Sequence, residues 1–91
     1  MAVEVYFPGN RAPTQALNDI RGGNMYAVVI VSNAAFKARP SKNSNNLPDP
    51  PDFMETLTAY EKTNDHRYYL LKKRCGSWGW MHIDDILISS I

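Results

Sequence analysis

Turn-forming residues interrupt this chain so often that no apolar pattern runs far enough for a long helix. The breaks fall at Pro8-Gly9-Asn10, at Gly22-Gly23, along SKNSNNLPDPPD from Ser41 to Asp52, at Asn64-Asp65 and at Gly76-Ser77. Between them lie short β-rich runs. VEVYF (Val3 to Phe7) alternates and reads as a strand. NMYAVVIVSN carries a continuous β-branched run, which predicts a strand buried on both faces or central in its sheet. In AAFKARP, Ala35, Lys37 and Arg39 alternate with Phe36 and Ala38. FMETLTAYEKT alternates through Met54, Thr56, Thr58 and Tyr60. RYYLLKKR and WGWMHI read as two further strands joined by the turn CGS, and ISSI as a last one. One short helix is expected in APTQALNDIRGG, with Thr14 as cap, Ala16, Leu17 and Ile20 as its apolar face and Gly22-Gly23 as its end. At about two turns it must pack on something to persist. DDIL reads as a single helical turn capped by Asp84. Neither strand nor helix can cross Ser41 to Asp52, so this is a long exposed loop. The pattern predicts a mostly β fold of five to six short strands, a small barrel or sandwich.

Ninety-one residues make one domain at most. Ten basic and nine acidic side chains leave a net charge of +1, which gives no overall field for capturing nucleic acid or an anionic membrane. Cys75 is the only cysteine, so neither an internal disulfide nor a thiolate metal site can form. A domain of this size without disulfides fits a reducing compartment. MAVEVYFPGNRAP lacks the basic start and apolar run of a signal peptide. The longest apolar run, YAVVIV, suits a strand and is too short to span a bilayer. The expectation is a soluble cytoplasmic protein.

No reaction is legible. Asp84 and Asp85 are consecutive, whereas a catalytic carboxylate pair must converge across a cleft. His66 and His82 are the only histidines, and no His or Cys spacing fits a metal. Cys75 and His82 lack an orienting third group. Gly22-Gly23 lacks the Lys-Ser/Thr of a phosphate cradle. A non-enzymatic protein without cofactor or metal is expected.

Binding residues are easier to nominate. Trp78 and Trp80 share a strand face. Trp80 is expected to close the core and Trp78, nearer the turn, to stay partly exposed. Tyr68 and Tyr69 face opposite ways, so one should be core and the other surface, with Tyr60 stacking on one of them. Lys72, Lys73 and Arg74 form a basic turn that Lys37 and Arg39 would enlarge if their strand lies near. NLPDPPD, with Asp49 and Asp52, is a stiffened acidic arm.

From Met25 to Leu87 the chain resembles the bacterial Src-homology-3 (SH3-like) type of small barrel. A β-branched strand leads into AAFKARPSKNSNNL, then TLTAYEK, then RYYLLKKRCGSWGWMHIDDIL, with Gly79-Trp80-Met81-His82 the sharpest match. The resemblance implies a five- to six-stranded barrel over residues 25–91. Residues 1–24 would then be an added strand and helix packed upon it, covering an edge or a pocket.

These readings converge on a small protein-interaction module that blocks or tethers a partner protein, such as a phage- or mobile-element-encoded inhibitor of a host system. Its contacts would be Tyr68, Tyr69, Lys72, Lys73, Arg74 and Trp78 with Asp49 and Asp52 of the loop. Two alternatives differ in class. The resemblance implies binding to cell-wall peptides; the basic turn with Trp78 as a stacking platform suggests weak, salt-sensitive nucleic-acid binding, which the low net charge argues against. The edge of Val3 to Phe7 offers pairing with a second copy.

Overall fold

In the computed structural model, which describes residues 3–18 and 23–90, five strands form one antiparallel sheet. These are β1 (Met25–Val29), β2 (Thr56–Lys62), β3 (Tyr68–Lys72), β4 (Trp78–His82) and β5 (Ile86–Ser90), in the spatial order β4-β3-β2-β1-β5. Two 3-10 turns, Pro8–Asn10 and Ile83–Asp85, are the only helical elements among the described residues. No helix there is long and apolar enough to cross a membrane.

Register divides the side chains between two faces. Tyr69 lies opposite Met81 and Leu71 opposite Gly79. With Ala27, Val29, Leu57, Ala59, Ile86 and the incoming Phe36, they form the main core. Tyr68, Leu70 and Lys72 lie opposite His82, Trp80 and Trp78 on the reverse face. There Tyr68, Leu70 and Trp80 form a second buried cluster, against which Val5, Phe7 and Trp78 pack. β3 is therefore the strand covered on both sides, and its unbroken YYLL reflects this. β1 takes the second of its two expected places: it is interior to the sheet, paired with β2 on one edge and β5 on the other, while its residues alternate between half-buried and buried and pack the core on one face only.

Several expectations need correction. Tyr68 and Tyr69 do point opposite ways, but both are buried, because residues 5–7 roof the face that Tyr68 shares. Trp80 is fully buried, yet in this second cluster and not in the main core. Val3 to Phe7 forms no strand ladder; Tyr6 N–H donates to Ala38 C=O (2.8 Å) and Trp80 Nε1–H to Tyr6 C=O (2.9 Å). Residues 12–18 hold no helix. A two-turn helix has too few internal bonds to compete, and the backbone bonds to its neighbours instead. Leu17 N–H donates to Ala59 C=O and Met25 N–H to Leu17 C=O, both at 2.8 Å. The rest of the expected helix, Ile20 and Gly22 included, lies outside the described residues. The turn before β5 is Ile83–Asp85, and its cap is His82, whose Nδ1 accepts from Asp84 N–H (3.1 Å), not Asp84 itself. Ile86 and Leu87 thus belong to β5.

Residues 36–38 lie along the outer edge of β4. Lys37 N–H donates to Trp80 C=O and Trp80 N–H to Lys37 C=O, each at 2.8 Å. The expected alternation holds here, with Ala34, Phe36 and Ala38 buried and Arg39 exposed.

The β2–β3 turn is built on one carboxylate. Asp65 Oδ1 accepts from Thr63 Oγ1–H (2.6 Å) and Arg67 N–H (3.1 Å), while Thr63 Oγ1 accepts from Tyr68 N–H (3.2 Å). The Thr63 hydroxyl, then the Arg67 amide, hold the exposed Asp65 carboxyl below its ordinary value of 3.8. A lowered folded-state value means the unfolded chain takes up this proton first as pH falls. The contribution is full above the ordinary value and is lost as pH drops through the folded one. Asp65→Asn keeps an acceptor but cannot titrate, so urea midpoints measured from pH 5 downward should fall less steeply than for the parent chain.

Candidate functional site

The nominated residues do not form one patch. β4 and its hairpin carry them to different places. Trp78 is the only one left half-open on an apolar surface. Its ring meets the edge of Phe7 (centroids 5.4 Å, 89°) and of Tyr60 (4.7 Å, 62°), and Lys72 Nζ sits 5.1 Å above it. Tyr60 reaches Trp78 because the β2–β3 register shifts between Ala59 and Glu61, leaving Tyr60 without an opposite residue. It therefore does not stack on Tyr68 or Tyr69 as expected.

Beside Trp78 an open groove of 390 Å³ is lined by four separate segments: Val3, Val5 and Phe7; Phe36; Leu47 and Pro48; and Gly76, Ser77 and Trp78. The lining is predominantly apolar, and Val3 is 37% exposed.

The Pro-rich loop is laid down rather than free. Leu47 N–H donates to Phe36 C=O (2.7 Å), Pro51 is buried, and Asp49 adopts a left-handed φ of 59°. Lys73 fixes it: the side chain is 9% exposed, and Nζ donates to Asp49 C=O (3.1 Å) and Asp49 Oδ2 (3.3 Å). Two expectations change together. Lys73 is not a surface cation but a buried one paired with Asp49, and the loop carrying Asp49 is tied down rather than projecting, while the Asp49 carboxylate itself stays largely exposed. Lys73→Met should release the loop and cost on the order of 1–2 kcal/mol, since charge-assisted hydrogen bonds to a part-buried ammonium are lost while its stem is replaced. Limited proteolysis between residues 41 and 52 should quicken well beyond cleavage elsewhere.

The remaining candidates disperse. Arg74 is exposed and lines a separate cavity with Lys72, Lys73, Tyr26, Thr56 and Thr58, so the basic turn stays together there and Lys72, over the Trp78 ring, borders both that cavity and the groove. Lys37 Nζ donates to Ser44 C=O (3.3 Å), and Arg39 lies 5.4 Å over the Tyr6 ring, so neither joins Lys72 and Arg74 in a basic patch. Asp52 stays exposed in the turn before β2, its N–H donating to Glu55 Oε1 (3.0 Å). Tyr68 lies at the far end of β3, opposite His82. Cys75 is exposed, and its contact with Ser77 Oγ (3.5 Å) holds the thiol below its ordinary value. It stands at the opposite end of β4 from His82, so the two form no couple. No group of three or more His, Cys, Asp or Glu that could hold a metal occurs among the described residues.

Sequence reasoning missed Val3, Val5, Phe7, Leu47 and Pro48 as parts of the site. The apolar alternation of VEVYF was visible, but it signalled a strand, and nothing local says that it lies across β4.

No protein-family model, no curated protein and no solved structure matches the chain.

Proposed function

We propose that this chain is a non-enzymatic protein-interaction module that takes an apolar side chain of a partner protein into the groove at Trp78, and so blocks or tethers that partner. The observation that carries this reading is the half-open Trp78 ring in a groove assembled from four segments distant in the chain. Half-buried tryptophans with a preformed apolar pocket beside them are the sites where binding energy concentrates. The walls are fixed in advance by the Trp80–Tyr6 and Lys73–Asp49 bonds, which lowers the ordering cost of association.

The Src-homology-3-type reading belongs to the same proposal. It is supported by the succession of Gly79-Trp80-Met81-His82, the turn Ile83–Asp85 and the last strand β5. On this reading residues 3–10 are an addition that converts one flank of the sheet into a groove wall.

Affinity purification of the tagged chain from its native cell, read by mass spectrometry, tests the proposal. One stoichiometric protein should co-purify and be lost with Trp78→Ala and with Val3→Asp, while Leu87→Ser, on β5, retains it. Retention by both groove variants would refute the site, and retention on purified cell wall instead would favour the peptide-binding alternative.

A further inference from the structure

At the other end of β4 a second cleft, of 380 Å³, is lined by Lys37 and Lys42, by Asp84 and Asp85, and by Tyr68 and His82. It is independent of the groove at Trp78 and of the function proposed for it. Three observations point to a ligand. The first is Tyr68, which is 8% exposed, yet its hydroxyl makes no hydrogen bond among the described residues. A phenol that buried is ordinarily partnered. The second is His82, whose ring stands edge-on to Tyr68 (5.0 Å, 89°). Its Nδ1 accepts from Asp84 N–H, which leaves Nε2 as the ring's donor, and Nε2 makes no hydrogen bond among the described residues. The third is charge. Two ammonium groups and two carboxylates face one cleft, and none of the four pairs with another across it: Lys37 is bonded to Ser44 C=O, and Asp84 Oδ2 lies 3.6 Å from His82 Nδ1. Burial, and then the nearby Asp85 and Asp65 carboxylates, push the Tyr68 phenol up, so it stays a neutral hydroxyl at ordinary pH.

A simple anion would be drawn to Lys37 and Lys42 but repelled by Asp84 and Asp85, and a simple cation would meet the converse. The geometry points to a small zwitterion of amino-acid to dipeptide size, held with its carboxylate toward Lys37 and Lys42, its ammonium toward Asp84 and Asp85, and its polar backbone on the Tyr68 hydroxyl. A molecule carrying both charges can satisfy both kinds of lining charge at once, and a free phenol among them both donates and accepts.

Glycylglycine is the probe, with acetate and ethylammonium as single-charge controls, titrated at constant ionic strength into the labelled full chain and followed by amide shifts. Saturable shifts at Tyr68, His82 and Asp85 are expected for glycylglycine with an affinity of about 1–10 mM, and an affinity weaker by about tenfold for either control. Tyr68→Phe removes the hydroxyl and keeps the ring, and Lys42→Gln alters an exposed side chain; each should weaken glycylglycine by about tenfold while leaving the rest of the spectrum in place. Absence of saturable shifts, equal binding of acetate alone, or indifference to both variants would overturn the assignment.

Discussion

Trp80→Ala is expected to bring the chain to the edge of unfolding, with a loss of about 3–5 kcal/mol. A domain this small has a total stability near the low end of about 5–15 kcal/mol, so the loss is a large share of it. Trp80 is 1% exposed, and it joins three things that nothing else joins. Its ring packs on Tyr68 and Leu70, its Nε1–H holds Tyr6 C=O (2.9 Å), and its backbone exchanges two bonds with Lys37. Truncation leaves a cavity under residues 5–7 and an unpartnered carbonyl above it. Trp80→Phe separates the contributions: much of the buried ring area stays, the hydrogen bond goes, and about 1 kcal/mol of the loss should be attributable to that bond. Urea unfolding of both variants checks the division. A full-sized loss in the phenylalanine variant would show that the bond to Tyr6, and not the ring, dominates.

Gly79→Ala comes next in size. A Cβ built on Gly79 would stand 2.6 Å from Cε1 and Cζ of Phe36, closer than real side-chain carbons approach. Phe36 is 1% exposed and cannot withdraw, because residue 37 is clamped to Trp80 by two backbone bonds of 2.8 Å. Overpacking of this kind costs about 1–3 kcal/mol. Adding Phe36→Leu should recover part of it, since a shorter side chain leaves room for the methyl group. A single variant as stable as the parent, by thermal midpoint, would mean that Phe36 does not seat on Gly79.

Gly79 also shows how far the sequence could be read. A lone glycine within WGWMHI signals a close approach, and the ring that fills the space is Phe36, from an alternating segment that is itself visible in AAFKARP. Local pattern thus indicates both partners but not their meeting. The strand runs of β2, β3 and β4 are legible for the same reason: alternation and turn chemistry are written within a few residues. What fails is whatever depends on a distant neighbour. VEVYF alternates like a strand, but its backbone meets Ala38 and the Trp80 indole instead of a strand partner, and its side chains take a roof position over β4. YYLL could be taken as half surface because one side of an isolated hairpin is open to water. The roof of residues 5–7 makes both sides interior. Lys73 in KKRC looks like the solvated cations beside it, and only the position of Asp49, in a loop many residues earlier, makes it a buried latch. Of the candidate site, Trp78 was legible; its walls were not, because they come from segments whose only link to it is the folded chain.

The central claim is that the groove between residues 3–7, Leu47-Pro48 and Gly76–Trp78 is the surface that meets a partner. The most direct measurement places a photo-crosslinking amino acid at Ser77, on the groove's rim, and at the exposed Lys62 as control, in the native cell. Irradiation should yield one discrete protein adduct from position 77, abolished by Trp78→Ala, with none from position 62. Equal adducts from both positions, or none from position 77 in a folded and expressed chain, would contradict the account.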